Sequence, residues 1–114
     1  DDVISRPELY INNEKIGVKE IAVIDTSFLS KELELRAKYK SSFIDFELKS
    51  FSFGMVCKGD YVSYRINGNQ LHNKAIDRTK SCYKPDMKVY FERLEFEFTL
   101  GETQQAQNGF VKLK

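Results

Sequence analysis

From Ile44 to Leu100 the chain repeatedly places apolar residues at every second position, then shifts them by one. In "IDFELKSFSFGMVCKGDYVSYRING" (44–68), Phe46 and Leu48 share one parity, while Phe51, Phe53 and Met55 share the other. Such alternation marks a strand with one buried and one solvated face. The change of parity predicts one extra residue near Lys49-Ser50, a β-bulge that bends the strand and lets both apolar sets face the core. No Pro or Gly lies there to break the strand instead. "MKVYFERLEFEFTL" slips in the same way: Val89 and Phe91 have one parity, and Leu94, Phe96, Phe98 and Leu100 the other. Two long strands with matching slips predict partners that bend together, or strands that pass from one sheet to another.

The remaining elements arrange themselves around these two strands, over about 43–57 and 87–100. "ELYINNEKIGVKEIAVI" reads as a strand near 8–12, a tight turn at Asn12-Asn13 and a second apolar stretch near 19–24. "IDTSFLS" reads as a connector. In "KELELRAKYK", Leu33, Leu35, Ala37 and Tyr39 alternate with charged residues, which favours a half-exposed strand over the helix that propensity alone suggests. Lys58-Gly59-Asp60 supplies a turn with Gly in a left-handed position. The returning strand turns Val62, Tyr64 and Ile66 inward, and Tyr61, Ser63 and Arg65 outward. Leu71, Ala75, Ile76 and Thr79 fall at helical spacing, predicting a short helix over about 71–81 with Asn67 or Asn69 at its cap. "KPD" turns the chain, "GETQQAQNG" reads as a polar loop and "FVKLK" as a final strand. Six or seven strands and one short helix predict an all-β fold, an antiparallel, Ig-like β-sandwich or small open barrel with bulged long strands.

Composition agrees with that class. At 114 residues the chain is one domain over 1–114, able to bury roughly 65% of its unfolded surface. Nine Phe and six Tyr against two Pro and no Trp favour pleated, half-buried surfaces. The formal net charge is +1, without the basic excess of a nucleic-acid binder. No run of 18 apolar residues is present, so no direct membrane-spanning helix is expected. Cys57 and Cys82 lie 25 positions apart with no ligands nearby to complete a zinc site. They read either as a disulfide, worth about 3.5 kcal/mol by loop-closure entropy, or as two free thiols in the core.

"FELKSFSF", then "NGNQL", then a short helix, then "KVYFERL" resembles the carboxy-terminal domain of the gliding-motility and type IX secretion protein family GldM (PorM). Phe46, Leu48, Ser50 and Phe51 match the first block. Asn67 and Gly68 match the second, and Lys88, Val89, Tyr90, Phe91, Glu92 and Leu94 the third. The order and spacing run over 43–98, and "NNEKIG" extends the likeness upstream. These motifs are apolar and structural, so they speak for fold rather than activity. The resemblance implies a periplasmic or exported cell-envelope location. It also implies an assembly whose members are membrane-anchored dimers of stacked β-rich domains, the last of which meets lipoprotein-associated rings. The expected partners are an envelope protein and a second copy of the chain.

Catalytic patterns are not evident. The single histidine, His72, stands at the start of the helix without a nucleophile beside it. Asp45, Glu47, Glu95 and Glu97 occupy polar faces of strands, where solvation and edge protection account for them. Asp60 and Asp77 lack calcium-loop spacing. "RTKSCYKPDMK" is locally basic, but Asp77 and Asp86 flank or interrupt it, and no nucleic-acid partner is expected. No catalytic residue, cofactor or metal is assigned. Tyr61 and Arg65 remain, as outward residues of types enriched at interface anchors. The expected function is non-catalytic protein–protein interaction. The alternative is a β-sandwich domain that binds carbohydrate or another surface ligand.

Overall fold

The computed structural model describes residues 7–11, 14–16, 22–39, 42–99, 102–106 and 108–114. Among them are ten strands, one α-helix and one 3-10 helix: β1 (Glu8–Ile11), β2 (Glu14–Ile16), β3 (Ala22–Ile24), the 3-10 helix (Thr26–Ser30), β4 (Glu34–Tyr39), β5 (Ser42–Phe46), β6 (Leu48–Cys57), β7 (Asp60–Asn67), α1 (Asn73–Cys82), β8 (Lys88–Thr99), β9 (Glu102–Gln105) and β10 (Gly109–Leu113). They form a four-stranded sheet in the order β2-β1-β4-β5 and a six-stranded sheet in the order β3-β10-β8-β6-β7, with β9 also on β8. Neither sheet closes into a barrel among the described residues, and the architecture is an all-β sandwich with one short helix. One pairing departs from the antiparallel expectation: β3 and β10 run parallel, with Lys112 opposite Val23.

Residues 43–57 are not one strand but two. The chain leaves the first sheet at Phe46, passes Glu47, and enters the second at Leu48. The expected bulge follows at once. Leu48 pairs with Phe96, Ser50 with Glu95, and Ser52 with Glu92. Across the first step β6 uses one residue more than β8, and across the second β8 uses one more than β6. The two bulges cancel, so the register recovers while both strands change parity together. In β8 the extra residue is accommodated at Arg93, whose φ is +48°. β9 and β10 lie along the same edge of β8, on either side of that bulge, where the Ala106 N–H donates to the Leu94 carbonyl at 2.7 Å. The segment "GETQQAQNG" therefore contains a strand rather than being loop throughout, and the strand count exceeds six or seven.

The core is one apolar cluster shared by both sheets. Phe91 sits at its centre, with Phe53, Phe51 and Phe28 at ring-centroid distances of 5.4, 6.1 and 6.2 Å. Phe28 comes from "IDTSFLS", which forms a 3-10 helix that buries Phe28 and Leu29 and is more than a connector. Asp25 caps it by accepting from the Ser27 N–H at 2.6 Å, and hydrogen bonding from the Ser27 side chain, then from its N–H, lowers the Asp25 carboxyl from its ordinary value. In β4, Leu35 and Ala37 are buried with the preceding Leu33, as alternation requires. The side chain of Tyr39, the Asn12-Asn13 turn, residues 17–21 and Leu100 lie outside the described residues.

The β6–β7 hairpin turns through two residues, Lys58 (φ +53°) and Gly59 (φ +86°), the left-handed pair that matches strand twist. Helix α1 begins at Asn73, and its cap is His72 rather than Asn67 or Asn69. The His72 Nδ1 accepts from the Ala75 N–H at 3.1 Å, and its ring stands edge-on to Tyr64. Ala75 and Thr79 are the buried residues of the helix. A disulfide joins Cys57, at the end of β6, to Cys82, the last residue of α1, with Cα atoms 5.4 Å apart.

Candidate interaction face

The six-stranded sheet turns Phe51, Phe53, Met55, Val89, Phe91 and Val111 into the core. The alternate residues of the same strands form its outer face. Tyr61 and Arg65 both stand there, on β7, four residues apart. Cys57 has the parity of the core residues, so the disulfide lies apart from this pair.

Tyr61 is 52% exposed, yet its hydroxyl is not free. The ring lies across Gly54, where any side chain would collide with it, and Oη donates to Glu92 Oε1 at 2.8 Å. Seating the hydroxyl away from water raises the phenol, and the Glu92 carboxylate and neighbouring Tyr90 raise it further, to about 12. Tyr61 packs edge-on to Tyr90 at 6.1 Å, and Tyr90 meets Phe110 at 5.8 Å. Lys88 Nζ stands 5.4 Å from the Phe110 ring centre. Val56, paired with Tyr61, is 53% exposed, and Val23, paired with Lys112, is 46% exposed. An apolar, aromatic band thus crosses the outer face from β7 to β3, with Lys88 and Lys112 beside it.

Arg65 does something different. Its Nη1 donates to Ser52 Oγ at 3.2 Å and to the Arg93 carbonyl at 3.0 Å. Its Nη2 donates to Ser50 Oγ at 2.7 Å and pairs with Glu95 Oε1 at 3.0 Å. Arg93 Nη2 also reaches Ser52 Oγ at 3.0 Å, and the Arg93 N–H donates to Asn108 Oδ1 at 3.1 Å. One guanidinium therefore touches both bulges. A fork of fixed donors is what that task requires. Ser52 and Gly54 are buried although they point outward, because Arg65, Arg93 and Tyr61 lie over them.

Sequence reasoning placed Tyr61 and Arg65 outward but passed over Val56, Tyr90, Phe110 and Arg93. Parity could have found three of them: Val56 alternates with Met55, Tyr90 with Phe91, and Phe110 with Val111. The carboxylates do not converge. Asp45 pairs with Arg36, Glu47 with Lys49, Glu92 with Tyr61 and Glu95 with Arg65. Among the described residues no three His, Cys, Asp or Glu side chains could hold a metal ion, and no helix is long and apolar enough to cross a membrane. A scan against protein-family models and a comparison with curated proteins find no match for the chain. This face offers contact area on a braced sheet, with Glu92 held by Tyr61 and Glu95 by Arg65 and with Lys88 and Lys112 beside the band.

Proposed function

We propose that the chain is a non-catalytic protein-binding module of a bacterial cell-envelope assembly, and that it presents the outer face of the six-stranded sheet to an envelope protein. The observation that carries this reading is the outer-face band of exposed Tyr61, Val56 and Val23, joined by half-buried Tyr90 and Phe110, on a sheet whose other face is the core. Aromatic anchors within a polar rim are the usual anatomy of a protein interface. The Cys57–Cys82 disulfide suits an oxidising compartment such as the periplasm. The likeness of "FELKSFSF" and "KVYFERL" to the GldM carboxy-terminal domain supports the same location and role. A carbohydrate ligand fits less well, because successive rings tilt by 61° and 37° instead of forming a flat stacking platform.

A cross-linking pull-down from an envelope extract tests the proposal, with Val56→Lys as the matched control. Val56 supports no core contact that the exchange would break. The expected result is a dominant envelope protein enriched by the native chain and reduced about tenfold by Val56→Lys, as loss of one interface anchor predicts. Equal capture by both chains, or no enrichment above an unrelated β-sandwich, would remove the outer face from the function. In the second case a glycan screen with Tyr61→Ala decides the alternative.

A further inference from the structure

The outer face carries two cations that its own sheet leaves unanswered. Lys88 and Lys112 stand directly opposite each other on β8 and β10. Side chains paired in this way lie on one face with Cβ atoms about 4.5–5.5 Å apart, and like charges there oppose each other. Among the described residues neither ammonium has a carboxylate partner. The ion pairs join Lys15 to Glu8, Arg36 to Glu34 and Asp45, Lys49 to Glu47, and Arg65 to Glu95. Glu92, on the same side of β8, is held by Tyr61. Asp25 caps the 3-10 helix, where it draws Lys114. Asp86, in the turn ahead of β8, forms an ion pair with neither lysine.

The two lysines do not lie at the margin of the band. Met55 is opposite Val89, which sets Val56 opposite Lys88 one step on. Tyr61 is opposite Val56, and Val23 is opposite Lys112. One row across five strands therefore reads Tyr61, Val56, Lys88, Lys112, Val23. The adjoining pair on this face is Tyr90 with Phe110. Lys88 lies against the Phe110 ring, and Lys112 is half-buried, so both charges stay within the apolar surface.

Resting on the reading of this face as a protein-binding surface, we propose that its partner is acidic there: it sets Asp or Glu carboxylates, among apolar side chains, against Lys88 and Lys112. An apolar surface alone, laid over the band, would bury two like charges without partners, at a steep cost. Carboxylates turn that cost into attraction and reject a basic competitor. A formal net charge of +1 gives the chain no general pull on anions, so the selectivity is local to this row. An anionic lipid surface fits less well. Electrostatic docking on lipid takes clusters of about four to eight basic residues, and this row has two.

Backbone amide NMR of the native chain tests the charge preference with poly-L-glutamate, poly-L-lysine and phosphatidylglycerol vesicles as probes. The expected result is that poly-L-glutamate alone shifts the signals of Val56, Lys88, Tyr90, Phe110 and Lys112, and that the shifts fade between about 10 mM and about 150 mM salt. Lys88→Gln with Lys112→Gln abolishes them. Lys74→Gln with Lys80→Gln, the same charge change on exposed positions of α1, leaves them in place. No shift on the band, equal loss with the α1 variant, or a response to the vesicles instead overturns the acidic protein partner. Lys88→Glu sets opposite charges across the two strands. It should raise the melting temperature of the free chain while reducing capture of the envelope protein at least about tenfold. A lower melting temperature would show that the lysines do not oppose each other, and would overturn the proposal. Capture that needs Val56 but survives the double Gln exchange overturns the acidic partner and leaves the protein-binding reading standing. Capture indifferent to Val56→Lys overturns that reading, and this inference with it.

Discussion

Arg65 and Tyr61 stand on the same face of one strand and illustrate two fates of an outward residue. Arg65 has spent its donors inside its own sheet, and with a side chain 34% exposed its ion pair with Glu95 contributes little alone. Its bonds to Ser52 and to the Arg93 carbonyl matter more. Arg65→Ala should cost about 1–2 kcal/mol, and Arg65→Lys nearly as much, since an ammonium cannot supply the fork. Urea unfolding midpoints would show this. A loss no larger than that of an ordinary surface exchange would deny Arg65 its bracing role. Tyr61 keeps half its surface for contact. The unfolded chain releases the phenolic proton near pH 10, but the folded chain holds it to about 12. The associated stability is complete below pH 10 and is lost as the pH rises toward 12. Tyr61→Phe should remove the last step of the phenolate absorbance titration and flatten that decline. A native titration with no step near 12 would show that the hydroxyl is not seated on Glu92.

At the scale of elements, the paired bulges were legible and the sheet change was not. Slips at Lys49-Ser50 and between Phe91 and Leu94 are visible because each leaves clean alternation on both sides. The step at Glu47 leaves no mark, since Phe46 and Leu48 keep one parity although they belong to different sheets. β9 was invisible for another reason: "ETQQ" has no apolar alternation, and its partner β8 lies elsewhere in the sequence. The helix cap at His72 follows from geometry, as a neutral ring nitrogen can accept where Asn was expected. The disulfide is the one covalent tie between helix and sheet among the described residues. Replacing Cys57 and Cys82 together by Ala should cost about 3.5 kcal/mol by the chain-entropy model, read as a lowered melting temperature. A change near zero would mean that α1 is held by Ala75 and Thr79 alone.

Taken whole, the molecule packs two sheets on one core, and the six-stranded sheet has one face closed over that core and one open. The closed face was readable from parity, because burial selects Phe, Leu and Val with few exceptions. The open face was readable only in part. Outward Tyr, Val and Phe look like noise along the chain, and become a band only when β7, β6, β8, β10 and β3 are laid side by side. Arg65 could be placed outward by the same pattern, but the cross-strand partners that occupy it lie 13 to 30 positions away and leave no local trace. Carbene footprinting read by mass spectrometry, on the free chain and on the chain in envelope extract, addresses the open face most directly. The expected result is heavy labelling of Val23, Val56 and Tyr61 in the free chain, lost in the extract while other exposed residues such as Tyr83 stay labelled. Labelling of the band that is unchanged by the extract would contradict its role as the binding surface.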